Sequence, residues 1–197
     1  MYKNYGVHAN RKKITFIVLV SMLFIQCAKE NQYLIEKGKV GSLTKETTVL
    51  ELGAIFKRDS IVSNLTKNDP ESGQKLFSLS YDEYEIYSKK GQKLLVISPS
   101  KQNDSLSKIK NIQIFDRNYK TDKGVSLQST FKEINENYIV NKVETTLTSA
   151  TLFIDELNAT IAIDKKELGL NRFSREEVTI DQIPDIAKIK YFTIWFN

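Results

Sequence analysis

From residue 14 to residue 25 the chain is apolar almost without interruption, running Ile14-Thr15-Phe16-Ile17-Val18-Leu19-Val20-Ser21-Met22-Leu23-Phe24-Ile25. No polar face breaks this run, as one would in an amphipathic helix packed on a core. The short polar stretch Ala28-Lys29-Glu30-Asn31-Gln32 follows. Residues 33–44 read as an extended element broken by Gly38 and Gly41. In 49–57 the period becomes helical: Val49, Leu52 and Phe56 form a stripe that Leu50 and Ile55 broaden, with Thr47 or Thr48 placed to cap it. Residues 63–73 are polar, and Asn68-Asp69-Pro70 marks a turn.

Beyond that turn, strand periods dominate. Tyr84-Glu85-Ile86-Tyr87 and Lys93-Leu94-Leu95-Val96-Ile97 flank Lys89-Lys90-Gly91-Gln92, the pattern of a hairpin. A polar loop precedes a strand over 108–116, with Ile112 and Ile114 on one face. The loop 117–124 ends at Gly124, a candidate left-handed position. Thr130-Phe131-Lys132-Glu133 is a capping box opening a helix that puts Phe131, Ile134 and Tyr138 on one side. Strands are expected over 139–147, 151–155 and 160–164, with Asn158 in the tight connection between the last two. After a polar excursion, 188–196 alternates apolar and aromatic residues and includes Trp195, the only tryptophan. Two short helices beside about six strands with short connections predict an α+β domain built on an antiparallel sheet. A doubly wound parallel sheet would need a helix between most strands.

The apolar run is too short to cross a bilayer, which takes roughly 17–25 residues, but it suits the central part of an export signal. Lys3, Arg11, Lys12 and Lys13 give it a basic start, and the run ends at Cys27, the only cysteine. An ordinary signal cleavage requires small residues at −3 and −1, and none is placed so near Cys27. Lipoprotein processing requires a cysteine at the new N-terminus, whose thiol takes the diacylglycerol. Phe24-Ile25-Gln26-Cys27 resembles such a lipobox, departing from the usual Leu at −3 and small residue at −1. Relaxed boxes of this form resemble those of Bacteroidetes-type bacteria. The alternative, a lone cysteine packed as a small hydrophobe, fits poorly with its place between an apolar run and a polar stretch. The expected organisation is therefore a signal-peptide helix over 1–26, a lipidated tether over 27–32 that carries palmitate on Cys27, and a single α+β domain over 33–197.

Removing the signal changes the electrostatics. The whole chain carries 29 basic and 24 acidic residues and a net charge of +5. Four of the basic residues lie before Cys27 and no acidic one does, so the remainder is close to neutral, at +1. The basic balance that would point to nucleic acid disappears with the signal. His8, the only histidine, lies in the same segment. The mature chain is thus left without the residues for Ser-His-Asp or Cys-His catalysis, Cys/His zinc sites or internal disulfides. No cofactor, metal or catalytic residue is expected.

Adjacent carboxylates occur at Asp82-Glu83 and Asp155-Glu156. Glycoside hydrolysis needs two carboxylates converging across a cleft, whereas neighbours on a strand point to opposite faces, so solvated strand ends are the simpler reading. Asn68-Asp69 and Asn103-Asp104-Ser105 lack the spaced acidic ladder of a calcium loop and read as turns. Tyr191, Phe192, Trp195 and Phe196 could form a binding surface, but alternation puts one face in the core and leaves the other half-covered. The loop 117–124 and its flank, through Asp116, Thr121 and Gly124, is the best candidate for contact with a partner.

Several segments resemble a family of bacterial lipoproteins known as domain of unknown function 1131, the RpoE-regulated lipoprotein family. They are Glu36-Lys37-Gly38-Lys39-Val40-Gly41-Ser42-Leu43-Thr44, residues 109–115 followed by Asp116, Thr121-Asp122-Lys123-Gly124-Val125-Ser126-Leu127-Gln128-Ser129-Thr130-Phe131, and Ala187-Lys188-Ile189-Lys190-Tyr191 running to Trp195. The resemblance implies an envelope lipoprotein and brings no enzymatic activity with it. The expectation is a non-enzymatic protein held in the outer membrane through Cys27, on its periplasmic side or at the cell surface, with another envelope protein as partner and no nucleic acid. Alternatives are a small-ligand carrier and a carboxylate-based hydrolase.

Overall fold

The computed structural model describes residues 31–65, 82–171 and 173–196. The described residues belong to one compact unit, 31–197. The expected export segment, Cys27 and the Asn68-Asp69-Pro70 turn lie outside the described residues, as does most of the tether.

In chain order the strands are β1 (Leu34–Glu36), β2 (Lys39–Val40), β3 (Leu43–Thr44), β4 (Ser60–Asn64), β5 (Glu83–Tyr87), β6 (Lys93–Pro99), β7 (Ile109–Ile114), β8 (Lys120–Thr121), β9 (Lys142–Thr145), β10 (Ser149–Ile154), β11 (Ala159–Asp164) and β12 (Ile189–Trp195). Two short α-helices, α1 (Leu52–Ile55) and α2 (Phe131–Asn137), lie between them. Eight strands form one antiparallel sheet in the order β4-β5-β6-β7-β12-β11-β10-β9. The α+β expectation holds at this level, with eight strands in the main sheet in place of about six.

Strand alternation sorts the side chains into two faces. On one face a single apolar row crosses seven strands: Ile86, Leu95, Ile114, Phe192, Ile161, Leu152 and Val143 stand opposite one another in turn. A second row runs Ile97, Ile112, Ile194, Ala159 and Ile154. Apart from half-buried Val143, these residues are buried in the core. Each fully buried Ile, Leu or Phe among them contributes roughly 1.5–3 kcal/mol of burial free energy, so these rows fix the sheet register: a slip of one residue would turn every one of them to the other face.

This face is covered by the remaining elements. A four-stranded sheet, β3-β2-β1-β8, brings Ile35, Val40 and Leu43 into the core. Helix α1 adds Leu52, with Phe56 just beyond it, and α2 adds Phe131 and Ile134, followed by Tyr138. The capping box is formed, with Thr130 N–H donating to Glu133 Oε2 at 2.7 Å and Glu133 N–H to Thr130 Oγ1 at 3.4 Å. The helix expected over 49–57 is shorter: a 3-10 turn over Val49–Glu51 leads into one turn of α1. Strand β4 is a further addition, because its exposed residues show no apolar alternation and its pairing is supplied by β5.

Candidate functional site

The opposite face of the main sheet carries a different set of side chains. Its central row is Glu85, Val96, Gln113, Thr193, Thr160, Phe153 and Lys142. Beside it lie Ser98, Asn111 and Trp195 on one flank, and Tyr191, Ala162, Thr151 and Glu144 on the other. A cavity of about 280 Å³ is lined from six consecutive strands, from Glu83 on β5 through Gln113 and Trp195 to Thr151 on β10. A second cavity, of about 300 Å³, adjoins it and reaches Phe153, Asp155 and Asn158. Thr151, Thr160 and Trp195 line both, so the two cavities are neighbours at Trp195.

Trp195 is held at three points. Its backbone N–H donates to the Asn158 carbonyl at 2.8 Å, and its carbonyl accepts from Asn158 Nδ2 at 2.8 Å. Its indole Nε1–H donates to Thr160 Oγ1 at 3.0 Å. Asn158 reaches round because it occupies the left-handed region, with φ 51° in the β10–β11 turn, a conformation Asn tolerates better than most residues. A ring fixed this way loses little further freedom when a ligand stacks on it.

Charge on this face is confined to its margins and is mostly paired there. Lys93 meets Glu85 at 2.8 Å, and the contact holds the Glu85 carboxyl below its ordinary range. Lys190 meets Asp164 at 2.9 Å, and Lys142 pairs with Glu144. The centre is left to hydroxyls, amides and rings. Among the described residues, the side chains of Ser98, Asn111, Gln113, Thr151 and Thr193 make no hydrogen bond to another residue, while none of their polar atoms is fully buried. Their donors and acceptors face the cavity space.

The sequence-predicted residues lie elsewhere. Asp116 is buried at the edge of a third cavity, of about 560 Å³, shared with Tyr33, Arg58, Lys89 and Tyr119. It accepts from Asn118 N at 3.0 Å and from Asn118 Nδ2, closing the turn that follows β7. Tyr119 packs edge-on against Tyr33, with ring centroids 5.1 Å apart, and burial pushes its phenol well above the ordinary value. Thr121 is also buried: it pairs with Ile35 in the small sheet, and its Oγ1 accepts from Val125 N at 3.1 Å. Gly124 is in the left-handed region, with φ 83°. The structure therefore brings Asp116 to a cavity, puts Thr121 in a supporting role and leaves Gly124 exposed on the turn. Cys27 lies outside the described residues.

The paired carboxylates do not converge. Asp155 and Glu156 are exposed in the β10–β11 turn, where Glu156 meets Lys123 at 2.6 Å. Asp82 is buried and accepts from Asn103 N–H, while Glu83 is half-buried on β5. Asp104 belongs to a turn, its Oδ1 accepting from Leu106 N at 2.9 Å. The aromatics of the closing strand divide as alternation requires: Phe192 and Phe196 enter the core, whereas Tyr191 and Trp195 stand on the open face. Gln113, Asn111 and Thr193 carry no motif. Their common signal is polar alternation on strands whose other face is wholly apolar.

Comparison with known proteins bears on the fold. No family model matches the chain, and no curated protein matches it. Among solved structures, it is similar to the crystal structure of the uncharacterized protein YfeY from Escherichia coli. The two are 13% identical, with a TM-score of 0.51, and the match covers 85% of this chain and 100% of that one. At that identity the likeness is one of fold.

Proposed function

We propose that this chain is a lipid-anchored protein of the bacterial outer membrane, attached through Cys27, that works by binding through the open face of its eight-stranded sheet. In this reading it is a member of the RpoE-regulated lipoprotein family, on the periplasmic side or at the cell surface. The lipobox-like Phe24-Ile25-Gln26-Cys27 supports the anchor. The family-like segments between Glu36 and Trp195 support the family. The binding role rests on one observation: the face opposite the core carries a clamped tryptophan among amides and hydroxyls that line two neighbouring cavities. Sites for small molecules combine an apolar surface with a few placed polar groups in this manner. The same arrangement supports the carrier reading, and the separation of the carboxylate pairs favours binding over hydrolysis.

Two experiments test it. Cys27→Ser should leave an unprocessed, unacylated precursor by mass spectrometry; an acylated, shortened chain from that variant would refute the anchor. A photo-crosslinking residue placed at Thr193 should form adducts in intact envelopes that the same residue at exposed Leu106 does not. Unmodified chain in both cases would refute the binding face.

A further inference from the structure

The chemistry of the same face also narrows the class of ligand, a reading that rests on the binding role proposed for it. We infer that the cavities around Trp195 take a neutral saccharide, one sugar ring stacking on the indole and its hydroxyls meeting the flanking amides and carboxylates.

Four observations narrow the choice. The described lining of the two cavities includes no Lys or Arg, while Glu83 stands at one end and Asp155 at the other. The charged lining residues are carboxylates, and the nearest ammoniums, Lys142 over the Phe153 ring and Lys190 over Tyr191, are each already paired with a carboxylate, so a phosphate, a nucleic-acid strand or an anionic headgroup is disfavoured. An alkyl chain is disfavoured for another reason. It would cover Ser98, Asn111, Gln113 and Thr193 without satisfying them, and each buried polar group left without a partner costs roughly 1–3 kcal/mol. An extended peptide seeks free backbone groups at a sheet edge, but this space lies over β6, β7, β12, β11 and β10, whose backbone groups are engaged on both sides.

A sugar ring fits what is left. One face of a pyranose is a patch of C–H groups that packs on an aromatic plane, and its rim is a ring of hydroxyls that both donate and accept. Amide side chains answer both functions, and carboxylates accept two hydroxyls each. The clamp from Asn158 and Thr160 fixes the stacking plane before binding. Tyr191, exposed on the same strand and lining the first cavity, offers a second ring surface for a longer chain.

Trp195 is the only tryptophan, so its fluorescence reports on this site alone. Full-length protein in a non-glycosidic detergent should be titrated with chitotetraose, with cellotetraose and, as the apolar comparison, with dodecanoate. A saturable change in Trp195 emission with at least one saccharide is expected, at a dissociation constant of roughly millimolar or tighter. Gln113→Ala and Asn111→Ala should each weaken it several-fold while leaving the melting temperature within a few degrees. Trp195→Ala, followed by calorimetry, should abolish it. A response to dodecanoate and to neither sugar would overturn the inference, as would a saccharide response untouched by all three variants. If neither sugar acts but Thr193 still crosslinks to another envelope protein, the saccharide is excluded and the binding role stands. If neither sugar acts and no crosslink forms, both fail.

Discussion

The ammonium of Lys165, wholly buried at the end of β11, donates to the carbonyl oxygen of Ser174. This contact ties residues 173–178 back to the sheet. A few residues on, Val178 N–H donates to Thr145 Oγ1 at 2.8 Å, so the same segment runs along the outer edge strand β9. Lys165→Ala should destabilise by about 2–4 kcal/mol, as large-to-small changes at buried sites do. Both variants remove the buried charge and its hydrogen bond, and Lys165→Met should cost less because it keeps most of the side-chain volume. Urea unfolding midpoints decide the order. If the two variants cost the same, the loss would lie in the hydrogen bond to Ser174 that both lack, and packing of the side chain would contribute nothing.

Gly38 and Gly41 both adopt positive φ in the small sheet, at 69° and 57°. Their surroundings differ. A Cβ on Gly38 would meet open space, whereas one on Gly41 would lie 2.3 Å from the Gln32 carbonyl oxygen. Gly38→Ala should therefore show little beyond the conformational penalty, about 1–2 kcal/mol. Gly41→Ala should cost clearly more, since the backbone of Gln32 has to move. Equal losses in chemical denaturation would mean that the approach of residue 32 contributes nothing to the fold.

The capping box at α2 gives a finer test. Thr130→Ala should cost about 1 kcal/mol and Thr130→Ser only a fraction of that, because the serine hydroxyl accepts the same N–H. Thermal melts of the two variants beside the parent check this ranking. Indistinguishable melts would show that the helix is held by Phe131 and Ile134 alone.

These elements also show what the sequence made legible. The capping box, the β5–β6 hairpin, Asn158 in its turn and the alternation of β12 were readable because each signal is local: an N-cap three residues before its Glu, a Gly at a turn, a period of two. Strand β4 and the β1–β8 pair were not, since two exposed or very short stretches become strands only when a distant partner supplies the hydrogen bonds. The helix over 49–57 had its apolar stripe, yet regular α-helix is confined to Leu52–Ile55, with Gly53 inside it. For the site, alternation divided Tyr191, Phe192, Trp195 and Phe196 between a core face and a half-covered one, without assigning either face. It did not mark Gln113 or Asn111, which are ordinary polar strand positions until five other strands are placed beside them. Residues 116–124 drew attention as a loop, but Thr121 is occupied in holding that loop together.

Tyr138 makes the pH dependence testable. Burial first, then the nearby carboxylates of Asp122 and Glu156, push its phenol up to about 12, against a hydrogen bond with Thr121 that acts the other way. In the unfolded chain the same phenol ionises near its usual value of about 10. Between these values the unfolded state binds fewer protons than the folded one, so stability falls as pH rises from about 10 to 12. Below that window the contribution is constant. Unfolding measured across the window should show the decline, and Tyr138→Phe should make it shallower; an unchanged slope would place the high-pH loss elsewhere, with buried Tyr119 the next candidate.

One topological fact bears on how the molecule comes into being. Strand β12, twelfth in chain order, lies in the middle of the main sheet, between β7 and β11. Until it arrives, β4 to β7 and β9 to β11 are two separate meanders, each with a bare edge where the centre will be. The seam closes through contacts more than 70 residues apart on one side, between Ile114 and Phe192, and such distant pairings form slowly. For a chain threaded across a membrane N-terminal end first, as the proposed anchor requires, the domain stays open and pliable for nearly the whole passage. It locks only when the strand bearing Trp195 slides into the gap, so folding and the assembly of the proposed binding face become a single event.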